Sequence, residues 1–431
     1  MHKHNLQLKF WSLDFLIFFY FILMAGNGCE WFSTYDPRYN PVGTFLLLAI
    51  LFYLWYRTKA IKSSKYVPIL AVILVAWTCY HYFVDSAFQY YTYGIFLLKI
   101  FLGGLIVKRY GYRIPEYYAK SIYILSAIGC VCWGLIMLGA TPLLQAISIV
   151  KSEHASLGSI VVYNIPDVYA RYKPGFLGLY RNPGFAWEPG MYASLLVLGI
   201  FFYMLVKGRD FKYTDKHFWI MVLALFTTMS TTGYVGFLVL IGLHFICGSK
   251  MKPIKKVIVV ALFGVFTSYV MTMPFMSEKI ESSSDSSNFV TERVDVIKWH
   301  ESQQSYFTVD RFEGMVLDLF DIQHSPIAGS GLAQQDSYIS KYISKYMITS
   351  NGVTKPLAQL GLVLGILLLM FFINGGKRIL QAYDYPFPYM LFVVFMVVSV
   401  SYNHFYNPII FAIVFFTIYL PQKRTNQVQV Q

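Results

Sequence analysis

Apolar runs of about 16 to 20 residues recur along the whole chain, the length needed to cross ~30 Å of hydrocarbon. Residues 11–28, 91–107 and 119–140 are examples, and short polar links separate each run from the next. Within such runs the backbone finds no water, so each must close its own hydrogen bonds as a helix. The pattern predicts about 12 spanning helices. Two links break the rhythm by their length, about 141–189 and about 273–355.

The second long link has a pattern of its own. Residues 278–288 (EKIESSSDSSN) have the composition of a flexible segment. Across 289–320, Val294, Ile297 and Trp299, then Phe312, Val316, Leu319 and Phe320, recur at helical spacing. That stretch is too polar to span, so it is expected to lie over the membrane as a lid. Residues 323–332 (QHSPIAGSGL) read as a turn. Residues 337–347 (SYISKYISKYM) repeat Tyr and Lys on one face, as an interfacial helix does.

Composition agrees with the pattern. The chain of 431 residues is 56% hydrophobic and only 13% charged, against roughly 25% charged in a soluble protein. The formal charge of +13 would suit nucleic acid if it were clustered on a soluble face. Instead Lys and Arg are sorted between links. Arg57, Lys59, Lys62 and Lys65 follow the second run, Lys108, Arg109, Arg113 and Lys120 the fourth, and Lys250, Lys252, Lys255 and Lys256 the eighth. The links between hold Glu30, Asp36 and Arg38, then Asp85 alone, and finally the long acidic segment, with eleven acids against seven cations. By the positive-inside rule both termini are expected to be cytoplasmic, and the two long links then share the outer face.

The reading is therefore one all-α polytopic membrane domain over 1–431. No A-x-A-like site follows 11–28, so a retained first span is expected. The five cysteines show neither metal-ligand spacing nor a disulfide framework. No internal repeat of the kind found in two-halved transporters is visible.

The densest chemistry lies in 171–192 (RYKPGFLGLYRNPGFAWEPGMY), where Gly and Pro shape a turn region carrying Arg171, Lys173, Arg181 and Glu188. Charges beside hydrocarbon are costly unless they meet water, a partner or a ligand. Three cations and one carboxylate so close suggest an anion site with a proton acceptor beside it.

Three stretches carry a family resemblance. RNPGFAWEPGMYASLL (181–196) resembles the Arg-x-x-Gly-Phe-x-x-Glu-Pro signature of the bacterial O-antigen polymerase and O-antigen ligase superfamily. RFEGMVLDLFDIQHSPIAGSGL (311–332) resembles its outer-loop pattern of an Arg, an amphipathic helix and a Pro-x-x-Gly-x-Gly turn. SNGVTKPLAQLGLVLG (350–365) is similar to the segment that ends that loop and enters the next span. Together they cover roughly 171–370.

The resemblance implies a glycosyltransferase of the bacterial inner membrane with its site on the periplasmic face, needing no cofactor and no metal. It would act on an oligosaccharide linked through diphosphate to undecaprenol. Membrane lipid is the other partner, a chain-length regulator and a flippase are candidates, and nucleic acid is not expected. In that family outer-loop arginines hold the diphosphate, which agrees with the planar donor fork of Arg.

Arg181, Glu188, Arg311 and His324 are thus the candidate catalytic residues, and Arg171, Lys173, Arg293, Lys99 and Asn351 the candidate substrate-binding ones. Each has a plainer alternative. Arg181 could be an interfacial anchor, Arg311 an ordinary partner of Asp310 or Glu313, and Glu188 a helix start before Pro189. His324 could be a surface residue. Lys99, mid-run, either pairs with a buried carbonyl or lines a cavity. Two departures favour polymerase over ligase: Ser350-Asn351 stands where ligases carry His-Asn, and Thr231-Thr232-Gly233-Tyr234 where they often carry Arg-Gly. The rival from another class is a transporter of the lipid-linked oligosaccharide, which would be expected to show paired acids within its spans.

Overall fold

The computed structural model describes residues 12–33, 40–59, 66–85, 88–150, 156–166, 179–208, 211–248, 254, 294–305, 307–309, 311–349 and 351–419. Eight apolar helices come first: α1 (Leu13–Gly26), α2 (Pro41–Thr58), α3 (Tyr66–Val84), α4 (Tyr90–Tyr110), α5 (Ile114–Met137), α6 (Pro189–Lys207), α7 (Lys216–Thr227) and α8 (Thr231–Leu243). The second long link contributes α9 (Val294–Ser302) and α10 (Arg311–His324), and α11 (Lys355–Ala382), α12 (Met390–Ser399) and α13 (Pro408–Tyr419) follow; the short helices Glu30–Ser33, Thr141–Ala146 and Tyr338–Tyr342 lie in the links. Among the described residues five helical segments are long and apolar enough to cross a membrane, and five shorter apolar helices accompany them. The ninth expected span falls in 255–293, outside the described residues, as does the segment 278–288.

The helix starts follow local chemistry. Ser12, Asn40 and Ser230 accept from backbone N–H groups three residues ahead, satisfying donors with no partner in the helix. Proline occupies the first turn of α2, α5, α6 and α11, where its missing N–H costs nothing. The fifth span begins five residues earlier than the pattern suggested, because α4 and α5 are joined only by the tight turn Gly111–Arg113. Small residues then set the packing distance. A Cβ on Gly103 of α4 would fall 2.5 Å from Cβ of Phe411 in α13, so the two helices meet backbone to backbone there.

Polar links collect at two ends of the bundle. At one end Arg109 at the foot of α4 reaches Asp14 in the first turn of α1, Tyr53 of α2 donates to the same carboxylate, and Arg378 donates to Thr417 O. At the other, Trp187 N donates to Gly26 O at the end of α1, Trp133 of α5 donates to Tyr180 O, and Gly352 N donates to Ser399 O. Arg57 lies near Asp14 at the first end, and the described parts of the two long links meet at the second.

Two small sheets interrupt the helical architecture, both in the long links. Strands β1 (Ser156–Ser159) and β2 (Asn164–Pro166) form an antiparallel hairpin, and β3 (Phe307–Thr308) pairs in parallel with β4 (Met347–Ile348). These pairings correct two expectations. The helix expected over 289–320 is broken between α9 and α10 by β3. The interfacial helix expected over 337–347 is confined to Tyr338–Tyr342, because the chain turns at Ser344 and joins β4.

Helix α11 is also broken. Gly361 sits at φ 74°, ψ 167°, a conformation open to glycine and essentially no other residue. A Cβ on Gly365 would lie 3.4 Å from Leu357 Cα, eight residues back, whereas eight residues of straight helix rise about 12 Å. The first six residues of α11 therefore fold back at a sharp angle against the long second half. The groups freed at the break are taken by the turn after α10: Ser330 N donates to Ala358 O, Gly331 N to Gln359 O, and Leu362 N to Pro326 O.

Candidate functional site

The site begins with a rigid turn. Asn182 is fully buried and donates through Nδ2 to Thr227 Oγ1 at 2.8 Å and to Gly129 O at 3.4 Å, while its Oδ1 accepts from Gly184 N at 2.9 Å. Gly184 has φ +56°, and any side chain there would strike the Tyr192 ring. Asn164 of β2 donates to Ala186 O at 2.7 Å, and its backbone N–H to Gly184 O at 2.7 Å. The turn is thus clamped against α1, α5, α7 and the hairpin. Its ends carry the two candidate charges. Arg181 donates from Nε to Thr228 O at 3.1 Å, on the link between α7 and α8. Glu188 is the N-cap of α6 with Pro189 behind it, so its carboxylate sits at the positive end of a helix dipole.

Arg311 arrives from the other long link. It is the first residue of α10, and one of its terminal nitrogens lies 3.5 Å from Glu188 Oε1, with both side chains partly exposed. The two long links therefore meet at this pair. Asn351 fixes the geometry from behind: its Nδ2 donates to Arg311 O at 3.2 Å, and its Oδ1 accepts from Val353 N and Thr354 N at the start of α11.

The inner face of α10 is acidic and its outer face apolar. Glu313, Asp318 and Asp321 are buried, whereas Met315, Val316, Leu319 and Phe320 are exposed. Asp318 accepts from Thr349 and Thr354 and lies 3.7 Å from Lys355 Nζ. Burial pushes the carboxyl pKa of Asp318 up despite Lys355 and these hydroxyls, and it pushes Asp321 up as well. Asp321 holds the next turn by accepting from Tyr338 N at 2.6 Å.

Aromatic groups that sequence reasoning passed over flank the pair. Tyr402, in the link between α12 and α13, has its ring centroid 5.9 Å from that of Trp187 and 5.4 Å from that of His404. Burial, with the Glu188 charge adding to it, pushes the Tyr402 hydroxyl up to about 12. Burial pushes the His404 imidazole down to about 4, so it is neutral at physiological pH. The available signal was the polar density of SYNHFYNP (401–408), unusual for a link of that length.

The remaining candidates are spread out. His324 ends α10, about 20 Å along the helix from Arg311, with Nδ1 2.8 Å from Phe320 O and its ring stacked 3.8 Å from Tyr338. The structure does not bring it to the Arg311–Glu188 pair. Asn351 is 1% exposed with its side chain committed to the backbone, so it positions Arg311 and does not face a ligand. Lys99 lies mid-helix in α4, half-buried, and makes no ion pair or hydrogen bond among the described residues. Arg171, Lys173, Arg293 and Ser350 lie outside the described residues.

Helices α11, α12 and α13 enclose a small apolar void of about 50 Å³ lined by Leu357, Leu360, Leu368, Met396, Phe405 and Phe411. Among the described residues no three His, Cys, Asp or Glu side chains cluster as metal ligands. Comparison of the chain with protein-family models, curated proteins and solved structures returns no match.

Proposed function

We propose that this chain is a polysaccharide polymerase of the bacterial inner membrane. It would transfer a glycan from undecaprenyl diphosphate onto the terminal sugar of a second lipid-linked repeat unit. The observation that supports this best is the meeting of Arg311 and Glu188, a cation and a carboxylate from two separate links, at the N-terminus of α6. In this reading about 12 spans carry the chain across the membrane with both termini in the cytoplasm and the two long links outside.

The chemistry asks for two functions. As the acceptor oxygen bonds to the anomeric carbon, the bond from that carbon to the diphosphate oxygen breaks, and negative charge grows on the leaving group. Arg311 and Arg181 stabilise that charge, Arg because its fork matches phosphate oxygens. Glu188 takes the acceptor's proton. The distance of 3.5 Å between Arg311 and Glu188 is longer than a charge-assisted hydrogen bond, so the pair is not tightly closed.

The test is a purified preparation in lipid nanodiscs given lipid-linked repeat units alone, with a metal chelator present. A ladder of longer glycans is expected. Units left unchanged until lipid A core is added, followed by one transfer, would make the protein a ligase. Movement of intact units across a bilayer without covalent change would make it a transporter.

A further inference from the structure

The turn 325–332 that follows α10 is held by three side chains outside its own segment. Ala328 O accepts from Trp77 Nε1 at 2.8 Å and faces His81 Nε2 at 3.1 Å. The other nitrogen of the same ring, His81 Nδ1, lies 2.8 Å from Asp85 Oδ1. Tyr93 donates to Asp85 Oδ2 at 2.8 Å and accepts from Leu332 N at 3.1 Å. His81 and Asp85 are nearly inaccessible, with side chains 2% and 3% exposed.

Counting protons limits what this cluster can be. Both ring nitrogens of His81 face oxygens: one on a carbonyl, which can only accept, the other on a carboxylate, which also only accepts when ionised. A neutral imidazole has a single N–H. Beside an ionised Asp85 it would set a lone pair against an oxygen at one of the two contacts, whichever tautomer it took. The cluster is consistent only if the His81–Asp85 pair carries one proton more, as imidazolium with carboxylate or as imidazole with carboxylic acid. Either form is neutral overall, which suits a site closed to water.

We propose that His81, Asp85 and Tyr93 form a one-proton latch that holds the 325–332 turn, and with it α10, in the position where Arg311 meets Glu188. The latch belongs to the fold and does not depend on the reaction proposed above. Its residues are positioning residues, acting on the site through α10.

The neighbouring charges do not supply the proton in another way. Asp336, which acts on Tyr93, is balanced by Lys341 at 3.7 Å. Tyr80 and Trp77 meet the His81 ring edge-on, and Gly331 leaves no room for a further group: a Cβ there would fall 2.9 Å from His81 Nδ1 and 3.1 Å from Asp85 Oδ2. The sign of the pH effect follows. Once the turn opens, water satisfies both groups and the extra proton is no longer required. The latched form then binds more protons than the opened one, so raising the pH favours opening.

The experiment is hydrogen exchange on peptides covering 325–332 in the full-length protein in nanodiscs, corrected for the intrinsic pH dependence of exchange. Wild-type protection should fall about tenfold or more between about pH 6 and about pH 9. Asp85→Asn is the discriminating variant. Its amide can donate to Nδ1 and leave the Nε2–H for Ala328 O, so protection should remain and its pH dependence should vanish. His81→Gln should lose protection at about pH 6 and show no pH dependence. A flat wild-type profile, or a sloping one that Asp85→Asn leaves intact, overturns the latch. If His81→Gln does not fold, the other two profiles decide alone.

Discussion

Arg109 and Arg311 are both arginines at helix termini that face a carboxylate, at opposite ends of the bundle, and they are used differently. Arg109 grips Asp14 with two donors, Nε to Oδ1 at 2.9 Å and a terminal nitrogen to Oδ2, and Tyr53 adds a third bond to the same carboxylate. Arg311 lies 3.5 Å from Glu188, longer than a charge-assisted hydrogen bond. The first geometry commits the guanidinium to structure, pinning α1 and α2 to α4. The second holds a cation near an anion at longer range. The contrast is informative about function because position and partner type are otherwise alike.

The sharpest way to break the comparison is to replace each arginine by lysine, keeping the charge and losing the fork. Arg311→Lys is expected to lower ladder formation by about 100-fold or more, roughly 3 kcal/mol in the barrier, with the melting temperature almost unchanged. Arg109→Lys should do the reverse, costing about 1–3 kcal/mol of stability while each folded molecule keeps its activity. Activity and thermal melting measured on both variants decide it. Equal behaviour of the two would remove the distinction.

A smaller effect concerns what holds Arg311 in place. Asp318→Ala leaves Lys355 and two threonine hydroxyls without their shared acceptor and should loosen α10 by about 1–3 kcal/mol. Asp318→Asn keeps an acceptor and should cost less. Exchange protection across α10 reads both, and an asparagine variant no better than alanine would mean the carboxylate's charge is what matters.

The smallest effect is on pH. Asp318 and Asp321 have carboxyl pKa values raised by burial, so folded α10 binds more protons than its opened form in the window between the ordinary carboxylate pKa and the raised one. Stability there falls as pH rises, and acidification should tighten α10. The expected change in its amide protection from about pH 7 to about pH 5 is under tenfold, and Asp318→Asn should flatten it. Loosening on acidification would contradict the burial argument.

The apolar helices were legible because their cause is local: a run of apolar residues that finds no water has one stable solution. The RNPGFAWEP turn was legible for a similar reason, since Gly184 and Pro189 declare where the backbone bends and where α6 begins. Helix α10 shows the limit. Its period was plain, but periodicity says which residues share a face and not which way that face turns. Its apolar side is outward and its acids are inward because Thr349, Thr354 and Lys355, up to 37 residues later, supply the partners. Tyr402 and His404 escaped notice for the same reason, their importance coming from a neighbour, Trp187, that lies far away in the chain. Asp85 read as a lone link acid, and no pattern four residues long could announce that His81 would meet Ala328.

That last separation sets a timetable. His81 and the carbonyl it faces are 247 residues apart, and Trp77 and the same carbonyl 251. At a synthesis rate of about 5–20 residues per second, α3 is made on the order of 10 to 50 s before its partner exists. During that interval Trp77 and His81 near the end of α3, and Asp85 just past it, must find other hydrogen-bond partners. The assembly of this corner of the protein is therefore a late event, completed only when the last third of the chain has left the ribosome and returned to its first.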